Sequence, residues 1–218
     1  MNDARFYRAS LVAAPLLLLA SSIPLSALHN DNAARLRSIA DQPGRYYLFC
    51  LFGVLAGLAL LPASYGLSMA LRRHRSRLGI AAAVLTVTGG AFSLVDMGTE
   101  LVKWQAGRTG ADVAAMTALL DRVDASPGIN VFLQVSGLAF LAGFTVLGVG
   151  LRRARLVPLW VAIALPAGLF ANLLGFASGS IAVLDASGVV LLVAMTAAGR
   201  ALSPAPVPVH PSAVPVVA

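Results

Sequence analysis

Residues 47–77 read YLFCLFGVLAGLALLPASYGLSMALRRHRSR. No Asp, Glu, Lys, Arg or His interrupts the run through Leu71, and then Arg72, Arg73, His74, Arg75 and Arg77 arrive almost together. A helix needs about 20 apolar residues to cross a hydrocarbon core ~30 Å thick, so this run is long enough to span. A cluster of arginines directly after a span marks the cytoplasmic side of a membrane.

The same pattern recurs in both directions along the chain. Residues 9–28, 78–99, 129–151, 156–177 and 181–199 are further apolar runs of spanning length. With no water to satisfy them, backbone polar groups in lipid must pair within their own segment, so each run should be helical. Pro15, Pro24, Pro62, Pro158 and Pro166 do not count against this, because neighbouring membrane helices re-satisfy freed backbone groups. The expected fold is an all-α, polytopic membrane bundle of about six transmembrane helices occupying residues 1–200. The tail, residues 201–218, reads SPAPVPVHPSAVPVVA after its first two positions and should be a disordered, proline-rich cytoplasmic segment.

Composition agrees with this reading. Of 218 residues, 58% are hydrophobic and 11% charged, and mean hydropathy is +0.83. Soluble domains carry roughly 25% charged residues. The net charge of +7 sits in short clusters between apolar runs, so it is an orientation signal and not a nucleic-acid footprint. Lys103 is the only lysine among 16 basic residues, a bias that with abundant Ala, Gly and Val points to a bacterial source. Cys50 is the only cysteine, which rules out a disulfide within the chain.

Orientation follows from where the arginines fall. With the N-terminus inside, the inner segments 1–8, 72–77 and 152–155 hold Arg5, Arg8, Arg72, Arg73, Arg75, Arg77, Arg152, Arg153 and Arg155. The much longer outer segments 29–46, 100–128 and 178–180 hold Arg35, Arg37, Arg45, Lys103, Arg108 and Arg122. Both ends are therefore expected in the cytoplasm, in a bacterial plasma (inner) membrane. The first span also has the layout of a signal peptide, with Arg5 and Arg8 ahead of an apolar run. It lacks a good small-x-small cleavage site near Leu28 and is read as retained; cleavage would leave five spans and an external N-terminus.

Two outer segments carry helical spacing of their own. In residues 111–123, Val113, Met116, Leu120 and Val123 recur at helical intervals behind Asp112, which predicts a short amphipathic helix. Residues 32–40 predict a shorter one. The segments 66–79 and 148–160 share a glycine, an apolar turn and Leu-Arg-Arg, a weak internal repeat compatible with two cytoplasmic hairpins.

The Pro-Gly-Arg-Tyr entry at 43–46, the Leu-Arg-Arg hairpins and Val-Pro-Leu-Trp at 157–160 give the chain a resemblance to uncharacterised bacterial integral membrane proteins grouped in domain-of-unknown-function families. The likeness covers nearly everything up to about residue 200. It implies a helical membrane protein and no activity or site residues.

Polar residues in membrane segments are costly and therefore informative. Asp96 and Asp185 fall inside the expected spans, and Glu100 lies one turn beyond Asp96 on the same face. Gln134, with Asn130 one turn before it, and Asn172 sit at a similar outer depth. These residues, Asp96, Glu100, Gln134, Asn172 and Asp185, form a candidate polar pocket opening outward beneath the 100–128 segment. In one reading the carboxylates bind a cation, a proton or a basic part of a ligand. In the other they cap helices, or pair with Lys103 and Arg45, and serve packing. Gly53-x-x-x-Gly57 and Gly175-x-x-x-Gly179 allow close helix approach, within the chain or in a homo-oligomer.

Catalytic patterns are missing from the sequence. His29, His74 and His210 all fall outside the spans, which removes haem held by paired intramembrane histidines. There is no His-Glu-x-x-His metal motif and no phosphate-binding glycine loop. Phe176-Ala177-Ser178-Gly179 resembles the serine motif of intramembrane rhomboid proteases, but no intramembrane histidine exists to act as its base. No cofactor or metal is expected. The leading expectation is a non-enzymatic membrane protein, structural or regulatory, whose partners are the lipid bilayer and other membrane proteins or copies of itself. The alternative is a small secondary transporter or sensor built on the outer acidic pocket.

Overall fold

The computed structural model describes residues 2–25, 31–108 and 112–202. Every regular element among them is helical: α1 (Asn2–Ser22), α2 (Asn32–Asp41), α3 (Pro43–His74), α4 (Ser76–Arg108), α5 (Val113–Asp124), α6 (Pro127–Arg153), α7 (Leu159–Ser178) and α8 (Ile181–Ala198), with a 3-10 turn at Gly199–Leu202. Helix starts and stops follow local chemistry. Pro43 and Pro127 occupy the first turns of α3 and α6, where a missing N–H costs nothing. Asp31 and Asp112 cap α2 and α5 by accepting from the N–H of Ala34 at 2.7 Å and of Ala114 at 2.9 Å. Gly179 ends α7 with φ of 69°, a left-handed cap that a side chain would strain.

Five helices, α3, α4, α6, α7 and α8, are long and apolar enough to cross a membrane. The first helix differs from the expected span 9–28. It begins earlier, includes Arg5 and Arg8, and ends at Ser22, which leaves it a short apolar stretch; residues 26–28 lie outside the described residues. The proline-rich tail beyond residue 202 lies outside them as well.

Six long helices close into a ring. α1 packs on α3, α3 on α4, α4 on α6, α6 on α7, α7 on α8, and α8 returns to α1. Neighbours approach closely where they meet small residues. A Cβ on Gly89 of α4 would lie 2.5 Å from Phe140 Cβ and 2.7 Å from its Cα, and one on Gly143 of α6 would lie 2.8 Å from Thr86 N. The two pairs interlock α4 and α6. Gly53 and Gly57 face Met97 and Leu94 of α4, and Gly175 faces Leu184 of α8, so these three glycines serve close packing within the chain.

One end of the ring is solid. Leu11, Leu67, Leu71, Leu147, Leu151, Val161, Leu165 and Met195 are fully buried there in a single cluster. Outward-facing positions are apolar too: Val84, Leu138 and Ile163 are each about 60% exposed, at 60%, 66% and 58%. Such a surface fits hydrocarbon and not water.

The opposite end is covered by α2 and α5. Leu36 and Ile39 of α2 are buried with Tyr46, Phe49, Cys50 and Leu120. Asn32 donates to Asp121 Oδ1 at 2.9 Å and to Asp124 Oδ2 at 2.8 Å, tying α2 to α5. At about 1.5 Å per residue, the 33 residues of α4 extend about 50 Å, well past the expected end at residue 99. The segment beyond residue 99 is therefore mostly helix up to Arg108, and α2, packed along it, shares the covering role expected of 100–128.

Both Leu-Arg-Arg segments form turns at the solid end, but their geometries differ. α3 passes into α4 across Arg75 alone, whereas α6 and α7 are separated by residues 154–158, with Arg155 at φ of 58°.

Candidate functional site

Ring closure leaves a cavity of about 140 Å³ between the solid end and the covered end. All six long helices wall it: Ser21 comes from α1, Phe49 from α3, Ser93 and Asp96 from α4, Phe140 and Phe144 from α6, Asn172 and Phe176 from α7, and Met195 from α8. A small side pocket at Ser22, Asn172, Phe176 and Leu184 adjoins it toward the covered end. Small residues of α3 and α4, Gly53, Ala56, Gly57 and Ser93, are among those that line it.

Two of the five anticipated residues meet at this cavity. Asp96 is partly buried, and among the described residues its carboxylate makes no hydrogen bond and no ion pair within 4.0 Å. Asn172 is buried and donates from Nδ2 to Ser187 Oγ at 3.2 Å. Ser187 in turn donates to the carbonyl of Leu184 at 2.7 Å.

The other three go elsewhere. Glu100 is buried at the covered end, where Tyr46 Oη donates to its Oε2. Lys103 Nζ and Arg35 Nη1 reach its Oε1 at 2.9 Å and 3.2 Å. Lys103 is the partner the spacing anticipates. The second cation is Arg35, brought by α2, and not Arg45. Asp185 is exposed near the start of α8, where Ser22 donates to its Oδ1 at 2.5 Å. Gln134 is exposed on the outside of α6, and Asn130 is engaged in donating to the carbonyl of Asp124 at 2.8 Å.

The Glu100 cluster ties elements together, because both carboxylate oxygens accept from side chains of α2, α3 and α4. A buried carboxylate is tolerable when charge partners and hydrogen bonds satisfy it, and here three donors converge. Aromatic packing continues the lock outward. Trp104 Nε1 donates to the carbonyl of Pro43 at 2.8 Å, its ring lies 4.9 Å from that of Tyr47, and the Arg108 guanidinium sits 4.8 Å over it. Such amphipathic rings are enriched at membrane interfaces.

Sequence reasoning missed Tyr46, Arg35 and Ser93. Arg35 had a readable signal: it is flanked by Leu36 and Ile39, which bury, so its stem is held against the bundle. Ser93 and the phenylalanines had none, since helix registry alone turns them inward. Among the described residues no three His, Cys, Asp or Glu side chains gather as metal ligands. No protein-family model matches this chain, and neither a curated protein nor a solved structure matches it.

Proposed function

We propose that this is a multi-pass protein of the bacterial inner membrane, crossing six times with both ends in the cytoplasm, that binds a small molecule without transforming it. It acts as a sensor or small secondary transporter whose ligand occupies the interior cavity from the outer side. The observation that carries this reading is the cavity itself, about 140 Å³ walled by all six long helices and holding the unpaired carboxylate of Asp96. A purely structural bundle gains nothing by keeping such a void, because each unfilled methyl-sized space costs stability. The orientation is supported by the arginines that follow Leu71 and Leu151, both buried in the solid-end cluster together with Leu11 of α1. Counting α1 as a sixth crossing is supported by its place as a wall of the ring between α3 and α8.

Single cysteines in a Cys50→Ala background test both points. With a membrane-impermeant cationic methanethiosulfonate added to spheroplasts, Ala115→Cys and the cavity-lining Ser93→Cys should react, and Ser76→Cys should react only after permeabilisation. Ala63→Cys, at a fully buried position, should stay silent throughout. Ser93→Cys as inert as Ala63→Cys would remove the ligand-binding reading, and Ser76→Cys reacting from outside would invert the topology.

A further inference from the structure

The polar groups facing the cavity are all of one kind. A serine hydroxyl has a single proton to donate. Ser21 spends its proton on the carbonyl of Leu18 at 2.6 Å, and Ser93 spends its own on Gly90 at 3.0 Å. Both therefore present lone pairs inward. The Ser187 hydroxyl is likewise committed to Leu184, so it can only accept from Asn172. That fixes the amide with its nitrogen toward α8, leaving the Asn172 carbonyl oxygen as the end available to the cavity. Asp96 as a carboxylate only accepts.

Among the described residues no basic side chain lines the space to answer these acceptors. The nearest cations along α4 and α2, Lys103 and Arg35, are both drawn to Glu100 Oε1 one turn outward. The rest of the lining is apolar, and among its aliphatic side chains stand four aromatic ones, Phe49, Phe140, Phe144 and Phe176. Ring faces attract cations, most strongly where water is excluded. An unpaired carboxylate, lone pairs and apolar, partly aromatic walls together call for a ligand that brings positive charge, hydrogen-bond donors and an apolar body.

The volume limits that body. A dry cavity of roughly 150 Å³ lined by aliphatic and aromatic side chains holds a molecule the size of benzene. The space here is about 140 Å³.

The geometry points to a site for a small lipophilic monocation, a protonated amine or quaternary ammonium bearing one ring-sized apolar group. Its charged end meets Asp96, and its body lies among the phenylalanines. This assignment rests on the reading of the cavity as a ligand site and specifies the ligand's chemistry.

Benzylamine, protonated at neutral pH, is the probe. Radiolabelled benzylamine is equilibrated with the full-length protein in nanodiscs, with empty nanodiscs subtracted. Benzyltrimethylammonium, benzyl alcohol and benzoate are the competitors, equal in ring and different in charge. The expected order is both cations well ahead of benzyl alcohol by at least tenfold, with benzoate not competing. Asp96→Asn should weaken benzylammonium at least tenfold and leave benzyl alcohol unchanged. Equal competition by benzyl alcohol or benzoate overturns the assignment using the wild-type chain alone, so it does not depend on the variant folding. An undiminished affinity in Asp96→Asn overturns it as well. If no probe binds while Ser93→Cys is still labelled from outside, the ligand chemistry is wrong and the cavity reading stands. If Ser93→Cys is inert, the cavity reading itself has failed.

Discussion

Replacing Glu100 by alanine should cost more stability than any other single change at the covered end. The carboxylate receives Tyr46, Arg35 and Lys103, and the side chains of Arg35 and Lys103 are only 14% and 12% exposed. Removing it takes away the acceptor that two cations and a phenol share. Breaking a buried pair by deleting one partner costs about 3–5 kcal/mol, mostly from the charge left behind. The site is not fully dry, so the lower end, about 3 kcal/mol, is the expected loss. At about 2–4 °C per kcal/mol for a chain of this length, the thermal midpoint should fall by roughly 6–12 °C. Glu100→Gln keeps an acceptor for Tyr46 but not the charge, and should fall about half as far. Arg35→Ala added to Glu100→Ala should recover part of the loss, giving a coupling of about 1–3 kcal/mol in a double-mutant cycle. The assay is the thermal midpoint of purified protein, read by the buried aromatic signal and by loss of the monodisperse peak. A Glu100→Ala protein with an unchanged midpoint, or a cycle with no coupling, would refute the claim that this cluster locks α2 to α3 and α4.

Two further expectations concern glycines. Gly89→Ala should destabilise by about 1–3 kcal/mol because its Cβ meets Phe140 backbone, whereas Gly98→Ala meets nothing within 4 Å and should be neutral or gain up to about 1 kcal/mol from helix propensity; thermal midpoints of the two variants, compared side by side, check this. Gly179→Val should cost about 1–2 kcal/mol at its left-handed φ, and Gly179→Asn clearly less, measured in the same way.

How far the sequence could be read depended on whether a feature was local. The apolar runs of α3, α6, α7 and α8 announce themselves because lipid demands length and hydropathy within one segment. The short helix α5 announces itself through Asp112 and the spacing behind it. The end of α4 did not, because Glu100 and Lys103 look like the start of a polar loop. They remain helical because Arg35, far away in sequence, neutralises Glu100 and because α2 packs on Gly107. The candidate site divided along the same line. Position along a helix was legible, and Asp96 and Asn172 do line one cavity, with Glu100 one turn beyond Asp96. Which way each faces is set by helix rotation, so Gln134 and Asp185 were grouped with them although they turn outward. The cavity belongs to no segment at all, being what six helices leave unfilled when α8 meets α1.

That last contact sets an order of assembly. Of these helices α1 is made before all the others and α8 after them, yet each is the other's neighbour. Until α8 has been made, α1 can lean on α3 but has an open flank, and Leu19 has no Gly188 to seat against. Contacts so distant in sequence are slow to form because the chain between them must first be arranged. A nascent chain halted after α7 would be a five-sided trough with its acceptors exposed to lipid, a natural point for quality control to recognise.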